Sequence, residues 1–105
     1  MKSDIKRSWF RGKIGEKIAK QDYKEHGFKI TSTRRGSDFI AIKQIGHVMR
    51  KEIVEVKTGK SPLTKTQKKK MREAKRQGIT YTVYRISTLF LDHYLKNQEK
   101  NHEVL

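Results

Sequence analysis

A chain with 26 Lys and Arg against 11 Asp and Glu has few carboxylates, and their surroundings decide what they can do. Two of them border the most apolar runs: Asp38 opens DFIAI, and Glu55 lies inside IVEVK. A carboxylate withdrawn from water needs a compensating partner. A hairpin relates the two. With a turn centred near Gly46 and His47, paired positions sum to about 93, which sets Asp38 opposite Glu55 in an antiparallel ladder. Opposed residues share a face, with Cβ atoms roughly 5 Å apart. Lys57, two residues beyond Glu55, shares that face. Two carboxylates at this range repel each other, and a magnesium ion between them removes the repulsion.

Such a set suits hydrolysis of a phosphodiester. A hard cation on oxygen ligands polarises the phosphate and generates a hydroxide-like nucleophile. The Lys57 ammonium can orient the water or offset charge developing on the phosphate. The competing arrangement is purely structural: Lys57 neutralises Glu55 at a sheet edge, and Asp38 caps a turn.

The elements that must position these residues follow from periodicity. Phe10, Ile14 and Ile18, widened by Ala19 and Tyr23, predict a helix over 9–26, with Gly27 to end it. Phe28–Thr33 reads as a strand, and 33–37 as a loop. Phe39–Ile42 is a continuous apolar run, as in a strand buried on both faces. A turn at 44–47 leads to a strand over Val48–Lys57. After a connection holding the single proline, Pro62, a helix is expected over Thr64–Gln77, stopped by Gly78. Ile79–Ile86 alternates as a strand, and Ser87 can cap a last helix over Thr88–Leu95, leaving 97–105 as a frayed tail. The order α-β-β-β-α-β-α predicts one α/β domain spanning 1–105: a mixed four-stranded sheet flanked by helices, with a right-handed crossover through the second helix.

Asp38, the hairpin and Glu55-Val56-Lys57 resemble the PD-(D/E)xK nuclease superfamily, whose restriction-endonuclease-like αβββαβ core has the same element order. The resemblance runs from about Arg11 to Ile86 and is nearest the small archaeal nucleases similar to Holliday-junction resolvases, which also open with a Gly- and Glu-containing helix, here RGKIGEKIAKQDYKEHGF. It implies metal ligation by Asp38, Glu55 and the backbone carbonyl of Val56, a catalytic Lys57, and Mg2+ as cofactor, with Mn2+ able to substitute. It departs from the family pattern at Ser37, where a proline would precede the aspartate.

Further candidates surround this set. Gln67 shares a helical stripe with Met71 and Ala74, so it faces the sheet, and it resembles a glutamine near the site in several family members. Glu16 shares a stripe with Ala19 and Tyr23; family helices often place there a glutamate that holds a metal-bound water, whereas a surface pair with Lys13 or Lys20 is the plainer role. Ser32 and Ser37 are two choices for the serine that junction resolvases use in this region. Arg34 and Arg35 could clamp phosphates. Lys60, Lys65, Lys68, Lys69 and Arg72 belong to the second basic segment, which can meet a duplex backbone.

Charge and composition narrow the classes. Residues 1–36 and 60–76 each carry +7, residues 37–59 carry +1 and residues 77–105 none, which makes the total of +15. The natural partner is a polyanion, because each neutralised phosphate releases a counterion. DNA is therefore the expected partner and metal-dependent DNA cleavage the expected activity, with a non-catalytic basic nucleic-acid-binding module as the alternative. No stretch approaches a membrane span, the N-terminus has no signal-peptide core, and the absence of cysteine excludes disulfides, thiol catalysis and cysteine-bound metals. A cytoplasmic protein is expected. Thr58-Gly59-Lys60-Ser61 imitates the end of a P-loop, but the required earlier glycine is Val54. The four histidines show no zinc spacing. Within residues 77–105, which carry no net charge, Leu89, Phe90, Leu91, Tyr94 and Leu95 give the last helix more apolar surface than one face needs, which predicts a homodimer.

Overall fold

A computed structural model describes the backbone of residues 2–32 and 39–104 and the side chains of residues 11–32 and 39–97. It is an α/β structure of three helices and four strands: α1 (Lys2–Glu25), β1 (Lys29–Ser32), β2 (Phe39–Ile45), β3 (Val48–Thr58), α2 (Lys65–Arg76), β4 (Thr80–Ile86) and α3 (Thr88–Val104). The strands form one open sheet in the order β1-β2-β3-β4, antiparallel except for the parallel pair β3–β4. The expected mixed sheet is thus present.

Three boundaries differ clearly from those expected: β2 runs to Ile45 rather than Ile42, and the two outer helices are longer. The first helix begins at Lys2 rather than residue 9, since no Gly or Pro precedes Gly12 to interrupt it. The last helix continues to Val104 instead of ending at Leu95, because 96–104 contains neither breaker; polarity alone does not stop a helix. Ahead of Gly27 and Gly78, α1 and α2 end as expected.

The β2–β3 turn is Gly46–His47. Gly46 has φ +61 and no non-Gly residue in the described backbone has positive φ, the pattern of a two-residue turn with glycine first. This turn sets the register Phe39↔Val54 through Ile45↔Val48, every pair summing to 93, as the sequence predicts.

That register sorts side chains onto two faces. Phe39 and Ala41 of β2, Val54 and Val56 of β3 and Ile86 of β4 point to one side, where α1 and α3 contribute Ala19 and Leu91. Ile14, Ile18, Tyr23, Phe28, Ile30 and Tyr84 close the same cluster. Gly15 lets α1 lie against the sheet: a Cβ there would sit 3.4 Å from Ile86 Cδ1 and 3.6 Å from Val56 Cγ1. Arg11 joins α1 to α3 through two donors on Asp92, at 2.8 and 3.1 Å from Oδ1. On the other side lies α2, packed chiefly against β4 through Ala74.

Candidate active site at the end of β3

Glu55 stands on the α2 side of β3, since it alternates with the core residues Val54 and Val56. It is 1% exposed. Its Oε1 accepts a hydrogen bond from Gln67 Nε2 at 2.5 Å, and its Oε2 is buried with no hydrogen-bond partner among the described residues. Gln67 is itself held. Thr64 Oγ1 accepts from the Gln67 backbone N–H at 3.1 Å, and Gln67 Oε1 accepts from the Thr64 backbone N–H at 2.9 Å, a reciprocal capping box at the start of α2. Because the carbonyl oxygen serves the cap, the amide nitrogen must face Glu55. The side chain that begins α2 therefore also orients the carboxylate.

Lys57 lies two residues beyond Glu55 on the same face and is half-buried. The bond described for Glu55 comes from Gln67 and not from Lys57. In the parallel register Lys57 is beside Arg85, whose Nη1 donates to the carbonyls of Ser61 at 2.8 Å and Gly59 at 3.3 Å. Arg85 thereby ties down the connection from β3 into Thr64 and Gln67. Sequence reasoning missed this residue, because the signal is the β3–β4 register, which no local pattern reports. The capping box was legible as T-x-x-Q at 64–67.

Asp38, Arg34, Arg35 and Ser37 lie outside the described residues. Glu16 is placed on α1, against the opposite side of the sheet but at the same end: its neighbour Gly15 approaches Val56. Its carboxylate pairs with Lys20 at 2.9 Å, and Lys20 also donates to Ser32 Oγ at 2.9 Å. Glu16 is thus in the plainer of its two expected roles, and Ser32 is bonded to a lysine. Met71 is partly exposed, whereas Ala74 and Gln67 turn toward the sheet. Lys60, Lys65, Lys68, Lys69 and Arg72 are all exposed, as a phosphate-facing role requires.

Among the described residues no three His, Cys, Asp or Glu side chains form a ready ligand group. The donors available at this place fit a hard divalent cation nonetheless. A buried carboxylate oxygen without a partner is costly in an apolar site, and a cation bound to it offsets that cost. Glu55, the carbonyl of Val56 and, by sequence, Asp38 are all oxygen donors, the set magnesium prefers.

No helix in the described residues is long and apolar enough to cross a membrane. No protein-family model, curated protein or solved structure matches the chain.

Proposed function

We propose that the protein is a magnesium-dependent endodeoxyribonuclease of the PD-(D/E)xK type, with a restriction-endonuclease-like core and a preference for branched or Holliday-junction-like DNA. The observation that carries this reading is Glu55: a buried carboxylate, one oxygen aimed by Gln67 and the other without a partner among the described residues, beside Lys57 on a basic protein. Asp38, Glu55 and the carbonyl of Val56 would hold the metal. Bound there, magnesium supplies Lewis acidity toward the phosphate and lowers the pKa of its water. Gln67 keeps Glu55 in one rotamer, so the ligand does not have to be ordered during the reaction. Lys57 places a positive charge where the phosphate gains negative charge. Arg34, Arg35 and the exposed lysines of α2 hold the flanking backbone. Glu16 would support the site only if it gave up its bond to Lys20.

Two active sites in a fixed relation are needed to cut both strands symmetrically, and a twofold homodimer supplies them. Of the expected contact residues on α3, Leu91 is buried in its own subunit, but Leu89 and Phe90 are 80% and 54% exposed and remain available to a partner. We place its action in the cytoplasm.

The deciding experiment incubates the protein with junctions, flaps, single strands and plasmid, with and without magnesium, and with manganese in its place. Cleavage only in the presence of metal is expected. Tight binding with no cleavage of any substrate in either metal would establish the non-catalytic basic module instead. Light scattering gives the oligomeric state, and a monomer that cuts junctions symmetrically would defeat the dimer.

A further inference from the structure

Segment by segment, residues 37–59 carry a net charge of only +1, which suggests a neutral centre. The fold separates that charge in space. The described acids of the segment, Glu52 and Glu55, belong to its inner end, while Lys43, Arg50 and Lys51 lie toward the hairpin turn with no acid between residues 43 and 51. The two faces of the hairpin then treat those cations differently. On the α1 side, Lys43 Nζ donates to the carbonyl of His26 at 2.6 Å and sits over the Phe28 ring, and Arg50 pairs with the buried Glu52 at 3.2 Å. On the α2 side, the register aligns Lys29 of β1, Ile42 of β2 and Lys51 of β3 in one row. Both lysines are exposed.

This side is open because α2 packs chiefly on β4. Met49, Lys51, Ile53, Glu55 and Lys57 follow one another along β3 on it, and Glu55 is the only acid among its described residues. Lys51 is four residues from Glu55, about 13 Å along the strand, and Lys29 lies two strands from Lys51, about 10 Å away. Beyond them the hairpin projects from the body of the protein, ending in Ile45, Val48 and Met49, which are 53%, 68% and 64% exposed. A two-stranded ribbon fits the major groove of a duplex, which is about 12 Å wide.

We infer that the open face of the sheet is a track for double-stranded nucleic acid: Lys29 and Lys51 take phosphates ahead of the Glu55–Lys57 site, and the hairpin tip enters a groove. The inference rests on the reading of Glu55 as the place of DNA cleavage and adds to it how the duplex is aligned there. Charge selects the occupant. A second copy of this chain would set Lys29 and Lys51 against like charge, whereas a duplex neutralises them. From the turn to Glu55 the strand covers about 26 Å, so the contact reaches about eight base pairs from the cut.

The test is binding without catalysis. Affinity of the full chain for a labelled duplex of about 20 base pairs is measured in EDTA across salt concentrations. Replacing Lys29→Gln and Lys51→Gln together should lower the slope of log affinity against log salt by about two and weaken binding about tenfold at low salt. Ile45→Ser with Val48→Ser should weaken binding and leave the slope unchanged. Lys24→Gln, on the exposed surface of α1, should change neither. A wild-type slope in the double lysine variant overturns the track, as does an equal effect of Lys24→Gln. A tip variant that alters molecular mass in light scattering but not DNA affinity overturns it in favour of self-association. Loss of cleavage with this binding pattern intact would break the catalytic reading alone.

Discussion

The two faces of this one sheet are built for different ends. Toward α1 and α3 lies the buried apolar cluster, and several polar groups beside it are matched. Tyr23 meets Phe28 and Phe39 edge-on, with ring centres 5.1 and 5.5 Å apart. Tyr84 donates to Asp22 at 2.6 Å, and the buried Glu52 accepts from both Arg50 and Thr82. Toward α2, the only buried apolar residue of the covering helix is Ala74, and the most buried described group is a carboxylate, one oxygen of which has no hydrogen-bond partner among the described residues. One face therefore holds the fold, and the other carries the candidate site. A protein of this size has one core, and confining it to one side frees the other for a ligand.

The sharpest way to break that division is to change residues on the α2 face and look for lost activity without lost stability. Glu55→Ala and Asp38→Ala should each reduce cleavage by about 10³-fold or more, the scale of several kcal/mol of transition-state stabilisation. Lys57→Ala should slow it severely. Glu55→Gln keeps an acceptor for Gln67 and removes the charge, so its thermal midpoint should equal or exceed that of the wild type. Wild-type cleavage by Asp38→Ala would sink the assignment.

The opposite change belongs to the α1 face. Phe39 is fully buried and central to the aromatic cluster. Phe39→Ala should cost about 3–5 kcal/mol in denaturant unfolding. Phe39 adjoins Asp38 in the chain, so this variant also checks the comparison: activity per folded molecule should fall far less than in Asp38→Ala.

This division was partly legible in the sequence. The turn glycine at 46 and the alternation of IVEVK were enough to give the register, because side-chain period and turn length leave only one pairing that buries Phe39 and Val54 together. Gln67 was legible for a similar reason: it shares a stripe with Ala74, the one buried residue of α2. The ends of α1 and α3 were not, because a polar helix that lacks Gly and Pro carries no stop signal. The arrangement around Glu16 was open between two roles, since i,i+4 spacing to Lys20 describes an ion pair and a metal-facing stripe equally well. The open face was hidden because net charge along a segment averages over both sides of a strand.

Gln67 tests the joint between the two functions of α2. Gln67→Ala removes half of the capping box and the donor to Glu55, and should cost about 1 kcal/mol of stability and about 10- to 100-fold in cleavage. Gln67→Glu restores the cap acceptor but faces Glu55 with a second carboxylate. It should regain most of the stability at neutral pH only when magnesium is present, so thermal midpoints measured with and without the ion separate the two effects. Equal midpoints in both conditions would show that the pair at 55 and 67 does not sense a cation.

The smallest effect should come from the matched polar groups of the α1 face, and it appears as a pH dependence. Burial, followed by the hydrogen bond to Asp22, pushes the Tyr84 hydroxyl up to about 12. The folded protein holds this proton more tightly than the unfolded chain, whose tyrosines titrate near about 10. The contribution is therefore complete below about pH 10 and is lost as pH rises toward 12, where the unfolded chain has released a proton that the fold still retains. Tyr84→Phe removes both the hydrogen bond and the titration. At about pH 9 it should be less stable than the wild type by about 1 kcal/mol. By about pH 11 that gap should narrow, because only the wild type loses stability through this group. Unfolding in denaturant at the two pH values measures the gap directly. A constant gap would mean that Tyr84 is solvated in solution and that the α1 face is less tightly closed than its packing indicates.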